Sequence, residues 1–278
     1  MMRPKLGIIA GGGELPGEII KHCQATGRDF FIVALMDQAN ASDLVDVPHE
    51  WVRLGAAGKA IKLLRSHAVE ELVLAGSVNR PSLSALRPDL WTAKFFAKTG
   101  AAGLGDDGLL SALISALQNR EGFKVVGSDD LLPDLIAPEG ILGQVSPSAD
   151  DHHDITVGIQ AAQDLGTQDI GQAVVVRERQ VIGQEDDQGT DVLISTITQL
   201  PNGERTGVLV KTAKPQQERR ADLPTIGPET IEGVYGAGLA GIALEAGSAI
   251  ILDRANVIER ADHYGVFVIG VKAENIRD

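Results

Sequence analysis

The chain has 278 residues, of which 44% are hydrophobic and only 4% aromatic, with 32 glycines and a formal net charge of −13. That length suits one large domain or two ordinary ones, and the glycine-rich, aromatic-poor balance favours an α/β protein over an all-β sandwich. An acidic chain repels nucleic-acid phosphates at long range, which excludes nucleic acid as a partner and requires a local basic cluster for any anionic ligand. The single cysteine, Cys23, excludes an intrachain disulfide and a cysteine-based zinc site. The opening MMRPKLGIIAGGG carries too short an apolar run for a signal peptide or a membrane span. We read the protein as cytoplasmic, with a peripheral contact at the inner face of the inner membrane left open.

In chain order, LGIIA (6–10) is a strand running into GGG, and 14–27 is a helix with Leu15, Ile19, Ile20 and Cys23 on one face. FFIVALM (30–36) and HEWVRL (49–54) are strands, 57–67 is a helix, and ELVLAG (71–76) is a strand. This βαβ rhythm predicts a Rossmann-like parallel sheet with right-handed crossovers. Helices follow at 90–100 and 106–122, then a strand at 123–127. Pro138, Gly140, Gly143 and Pro147 mark 136–147 as a linker. It divides an N-terminal Rossmann-like domain (1–135) from a C-terminal α/β domain (148–278) that carries the catalytic motif. In that second half we expect a helix at 154–166, two strands within 173–183, a helix at 189–200 and a strand at 206–213. A long helix over 228–247 carries Gly233, Gly236, Gly238 and Gly241, which argues for a second backbone packed close to it. Strands at 249–253 and 266–271 finish the sheet.

Six motifs bear on chemistry. In LGIIAGGGELPGE (6–18), a strand, glycines and a helix put the backbone of Gly11, Gly12, Gly13 and Leu15 where an anion can sit. The dinucleotide fingerprint fails there, because Pro16 stands at its third glycine and Asp37 lies too far along; both count against a nicotinamide-dependent oxidoreductase. AGSVNRPSLSAL (75–86) follows a strand at a ligand-binding edge, where Gly76, Ser77, Asn79 and Arg80 offer hydrogen bonds and a phosphate partner. In GLGDDGLL (103–110), Asp106 is an N-cap candidate, and Asp106 with Asp107 suits Mg2+ or a ribose hydroxyl. In EDDQGTDVL (185–193), Glu185, Asp186, Asp187 and Asp191 crowd one turn; Thr190 and Asp191 read as a cap, as substrate contacts, or for Asp191 as a metal ligand. The adjacent His152 and His153 of DDHHDI diverge by about 100° on a helix, so they mark a helix start rather than a metal site.

The last motif is KPQQERRADLPTIGPET (214–230). Lys211, Lys214, Arg219 and Arg220 concentrate positive charge, Gln217 and Thr225 flank it as candidate substrate contacts, and Asp222 is bracketed by Arg220 and Pro224. A carboxylate beside cations stays ionised, and it can bind Mg2+ or orient a water, as phosphoryl transfer requires. Lys214 and Arg220 are placed to neutralise phosphate charge.

On these residues the chain resembles the LpxI-type UDP-2,3-diacylglucosamine diphosphatases of lipid A biosynthesis. The resemblance runs nearly end to end, through LGIIAGGGELP, AGSVNRPSLSALRPD, GDDGLL, VVGSDDLLPDL, LGQVSPS, DIGQAVVV, GTDVL, AKPQQERRADLPTIGPETI, AGLAGIALEAG and GVFVIGV. It implies hydrolysis of UDP-2,3-diacylglucosamine to UMP and 2,3-diacylglucosamine 1-phosphate (lipid X), with Mg2+ or Mn2+ as cofactor. It also implies two domains holding the lipid between them, a homodimer, and Asp222 as the residue tied to catalysis. A diacyl substrate needs apolar shelter, for which Trp91, Phe95 and Phe96 are candidates. A nicotinamide-dependent oxidoreductase and a nonenzymatic nucleotide-sugar-binding protein are the competing readings.

Overall fold

Strands β1 (Leu6–Ala10), β2 (Phe30–Leu35), β3 (His49–Val52), β4 (Glu71–Ala75) and the short β5 (Lys124–Val125) run parallel in the order β3-β2-β1-β4-β5. They are seen in a computed structural model, which describes residues 3–79, 86–100, 103, 105–200 and 203–272. Alternate residues of a strand point to opposite faces, and here both faces are apolar. Leu6, Ile8, Ala10, Ile32, Ala34, Val73 and Ala75 meet Ile19, Ile20 and Cys23 of α1 (Leu15–Thr26). Phe31, Val33 and Leu72 on the other face meet Ile61 and Leu64 of α2 (Ala57–Ser66) and Ile114 and Leu117 of α4 (Asp106–Asn119). Helix α3 (Leu90–Thr99) packs outside α4 through Phe95 and Ala116, and α5 (Ser128–Leu131) returns Leu131 to the α1 face. Helices on both faces of a parallel sheet make the doubly wound arrangement expected of this half.

Among the described residues, the second sheet runs β6-β13-β11-β9-β7-β8. Its strands are β6 (Gly140–Leu142), β7 (Ala173–Arg177), β8 (Gln180–Gln184), β9 (Val208–Lys211), β11 (Gly241–Glu245) and β13 (Phe267–Val271). β9, β11 and β13 are parallel, while β6, β7 and β8 pair antiparallel with their neighbours. Helix α6 (Ala149–Thr167) covers Val174, Val176, Val208 and Val210 with Ile155, Ile159, Ala162 and Leu165. The opposite face carries α7 (Thr190–Thr196), α8 (Pro228–Gly236) and α9 (Arg254–Tyr264). β10 (Thr225–Ile226) and β12 (Ile250–Ile251) form a separate parallel pair. None of the described helices is long and apolar enough to cross a membrane.

The chain divides into two units, Met1–Pro133 with Glu218–Asp222, and Asp134–Gln217 with Leu223–Asp278. Two expectations change accordingly. Residues 136–147 are not a linker: Ala137 is buried and donates its N–H to Ala249, and Gly140–Leu142 add an antiparallel strand to β13. The residues Glu218–Asp222 belong with the N-terminal unit rather than the C-terminal domain. The helix at 189–200 is also shorter, ending at Thr196, and 249–253 supplies only β12, outside the main sheet.

The long glycine helix is also corrected. It stops at Gly236, because Gly238 adopts φ +70 and the N–H groups of Ala237 and Leu239 fold back onto the carbonyls of Gly233 and Val234. Gly241 then opens a fully buried strand, where a side chain would sit 2.4 Å from the Phe267 ring. Among the described residues nothing lies within 4 Å of where a Gly236 side chain would begin, so no second backbone of the described fold packs on it. We expect Gly238→Ala to cost about 1–2 kcal/mol through its left-handed backbone, and Gly236→Ala to be neutral or stabilising by up to ~1 kcal/mol. Urea unfolding of the two variants measures this difference.

Candidate active site

In the first sheet β1 is followed by β2 on one side, while β4 lies on the other. Open α/β sheets bind ligands outside the carboxyl ends of strands at such a switch point. Here the two loops leaving β1 and β4 are locked together. Gly12 donates its N–H to Ser77 O at 2.8 Å, Ser77 donates to Gly12 O at 3.0 Å, and Gly11 donates to Ala75 O at 2.8 Å. The approach is too close for side chains: a methyl group at Gly11 would sit 2.4 Å from Ser77 O, and one at Gly76 (φ +88) 2.2 Å from Gly12 O. The loop after β2 joins them, since Gln38 Oε1 accepts from Asn79 N at 2.8 Å and Asn40 Nδ2 donates to Gly13 O at 3.0 Å.

Gly11, Gly12, Gly13, Gly76, Ser77 and Asn79 are thus brought to one edge, with Leu15 opening α1 beside them. Gln38 and Asn40 escaped the motif search because nothing in their spacing marks them. The N–H groups of Gly11 and Gly12 are committed to β4 and its loop, so any anion contact falls to Gly13 and the start of α1. That helix end already faces one carboxylate, because Asp43 lies against Gly17. Arg80 lies outside the described residues. Asp106 opens α4, with its side chain outside the described part, and Asp107 is buried.

The basic motif reaches the same unit through five residues. Arg220 lies against Gly127, just beyond the carboxyl end of β5, and Ala221 packs on the cluster of Leu117, Phe123 and Val125. Arg220 donates twice to Glu218, from Nε at 2.8 Å and from Nη2 at 2.6 Å, and also to Gln118 of α4. Arg219 pairs with Asp129 at 3.6 Å. Asp222 is half-buried, its N–H donating to Glu218 O at 3.2 Å.

The rest of the motif belongs to the second unit. Lys211 is buried and donates to Thr225 O at 3.0 Å. Lys214 Nζ donates to Asp169 at 2.8 Å, and its backbone N–H to Gln217 Oε1 at 3.0 Å. Thr190 donates its hydroxyl to the buried Glu185. Asp191 is exposed in the first turn of α7, beside a cavity of about 190 Å³ lined by Ile194, Gly233, Gly236 and Ala237. The motif's cations therefore meet carboxylates or carbonyls of their own chain. Asp169 and Gln118 were not singled out from sequence; their signal is the partner, which appears only on folding.

Among the described residues, no three histidine, cysteine, aspartate or glutamate side chains gather as a metal cluster. Asp222 and Asp191 belong to different units. The donors near Asp222 are hard oxygens. One carboxylate completed by substrate phosphate is an ordinary Mg2+ arrangement, so the residues present fit that ion without a resident cage.

The hydrogen bonds and charge of Arg220 hold the Glu218 carboxyl below the ordinary glutamate range, against an opposing effect of partial burial. A lowered folded value stabilises above the ordinary glutamate pKa, and the contribution is lost as pH falls through the folded value. We expect the melting temperatures of the wild type and Glu218→Gln to differ by a constant gap from neutral pH down to the glutamate range. Below that range the gap should close, which thermal unfolding across pH measures.

The LpxI N-terminal domain matches residues 5–135 and the LpxI C-terminal domain residues 138–269. The UDP-2,3-diacylglucosamine pyrophosphatase LpxI of Caulobacter vibrioides (strain ATCC 19089 / CIP 103742 / CB 15) is 42% identical over 274 residues, covering 96% of this chain and 97% of the relative. With both domains matched in order and along nearly the whole length, the chain belongs to the LpxI family.

Proposed function

We propose that the protein hydrolyses the diphosphate of UDP-2,3-diacylglucosamine, releasing UMP and 2,3-diacylglucosamine 1-phosphate, in lipid A biosynthesis. The observation that carries this is the placement of Glu218–Asp222. A sequence-distant carboxylate turn is built into the doubly wound unit, beyond the carboxyl end of a strand parallel to β1 and β4. The activity named for the Caulobacter relative supports the same reading.

In the reaction a water oxygen bonds to one phosphorus, the bond from that phosphorus to the bridging oxygen breaks, and the other phosphate leaves with the bridging oxygen. Asp222 is the reacting group we assign, as a Mg2+ ligand or by orienting the water. Mg2+ or Mn2+ bound there would neutralise charge building on the phosphates. Arg220 fixes the turn that carries Asp222 through its fork onto Glu218 and its bond to Gln118. A diphosphate that engages Arg220 or Lys214 competes with Glu218 or Asp169, so both cations act first as anchors. Gly13, Leu15, Ser77 and Asn79 are the candidate contacts for the nucleotide side. A homodimer and a peripheral contact with the membrane that holds the substrate belong to the same proposal.

Removing a group used only in the transition state lowers kcat and spares ground-state binding. Asp222→Ala should lose turnover by on the order of 100-fold or more while still retaining the substrate on the purified protein. The checks are the hydrolysis rate at saturating Mg2+ and the lipid bound after purification. Near-normal turnover would end the assignment and pass it to Asp191.

For the acyl chains, Phe95 is committed to the core, stacked on Trp91 at 5.6 Å, whereas Phe96 is half-buried on the same helix. We propose Phe96 as the residue with apolar surface to spare. Phe96→Asp should raise KM for the diacyl substrate by about tenfold, the worth of one or two buried methylene groups, with the folded protein intact. Steady-state kinetics alongside a melting curve measure both.

A further inference from the structure

The second unit buries an acidic side chain beside β8. Glu185 directly follows β8 and is only 6% exposed. Both of its carboxyl oxygens are used. Oε2 accepts from the backbone N–H of Gln172 at 2.7 Å, and Oε1 accepts the hydroxyl of Thr190. From Gln172 the connection continues, because its side-chain Oε1 accepts from Gln217 Nε2 at 3.2 Å, and Gln217 is itself only 8% exposed. Gln217 closes a turn with Lys214 in both directions: its Oε1 accepts Lys214 N–H at 3.0 Å, and its N–H donates to Lys214 O at 3.0 Å.

The same turn is pressed from a second side. Lys214 reaches Asp169 at 2.8 Å, and Gln216 Nε2 donates to Gly166 O at 3.1 Å. A methyl group at Gly166 would lie 3.1 Å from the Lys214 backbone, and one at Gly171 would lie 2.6 Å from Glu185 O. These segments therefore have no slack through which to shift. An acid buried with both oxygens occupied is costly unless its partners stay in place, so it holds them in one geometry.

We infer that Glu185 is a positioning residue for the hydrolysis. It ties the turn bearing Thr190 to the turn bearing Lys214 and Gln217, which runs on along the chain into Glu218–Asp222. This rests on the function proposed above. Glu185 touches no reacting atom in this scheme, and it acts through Gln172 and Gln217.

The test uses the full chain with UDP-2,3-diacylglucosamine and Mg2+, reading kcat and KM, together with backbone hydrogen exchange at Lys214–Gln217. Glu185→Ala removes both acceptors. It should lower kcat by about tenfold or more with KM within about threefold, the signature of misplaced rather than missing contacts. Exchange at the Lys214–Gln217 amides should speed up while β9 and β11 stay protected. Glu185→Gln should restore most of the loss, since its oxygen can serve Gln172 N–H and its amide can donate to the Thr190 hydroxyl. Should Glu185→Ala fail to fold, Gln172→Ala cuts the same connection without removing the buried acid, and is expected to show the same split.

Unchanged exchange at Lys214–Gln217 in a folded variant, or a rise in KM with kcat intact, would overturn the inference. Absence of hydrolysis by the wild type would instead overturn the proposed function. The exchange measurement would still decide whether Glu185 holds the turn.

Discussion

The first unit is organised around one close approach of backbone to backbone. Gly12 and Ser77 exchange hydrogen bonds across the point where strand order reverses, and the Gly76 α-carbon passes so near Gly12 O that no side chain fits. This contact joins the loops of β1 and β4. Gln38 and Asn40 then fasten the loop of β2 to them. The glycines that look like a phosphate cradle in the sequence therefore first serve a structural need. They let two strands emerge as neighbours with their loops sealed.

The same economy governs the basic motif. In a chain of net charge −13, cations are outnumbered, and each one in this stretch has a partner within the fold. Lys214 pairs with Asp169, Arg219 with Asp129, Arg220 with Glu218, and Lys211 with the carbonyl of Thr225. Paired cations fix a loop more tightly than free ones, because bidentate and partly desolvated contacts restrict geometry. Within the first unit, Arg219 and Arg220 with their partners fix the turn that carries Asp222. The buried Glu185 extends this logic with neutral donors, passing order from one turn to the next through amides and a hydroxyl.

How far the sequence could be read depended on where the information lay. Short, mostly apolar runs located β1, β2, β4 and β13, because a strand buried on both faces leaves a continuous apolar signature. The helix Ala149–Thr167 was readable in part: DDHHDI marked a helix start, but the expected range began at 154, and the hydrogen bonds that Ser148 and Asp151 exchange set the start five residues earlier. The helix Arg254–Tyr264 was not, since few of its residues are apolar and only Val257 and Ala261 are fully buried. The stretch 228–247 misled because Gly238 and Gly241 sit within an apolar pattern that suits a helix and a strand alike; the left-handed φ at Gly238 decides between them, and that angle follows from packing.

By itself the sequence determined the doubly wound first half, the glycine turns and the family. All of these rest on local periodicity or on contiguous motifs. Only the tertiary structure decided that 136–147 adds a strand to the second sheet, that Glu218–Asp222 belong with the first unit, and that the cations of the motif are already paired. Apart from Arg220 with Glu218 and Lys211 with Thr225, which are close in sequence, these outcomes depend on contacts between residues 45 to 130 positions apart, such as Lys214 with Asp169 and Leu142 with Val268. No local pattern encodes such a partner, because hydrogen bonds and packing select it only once the chain has closed the loop between them.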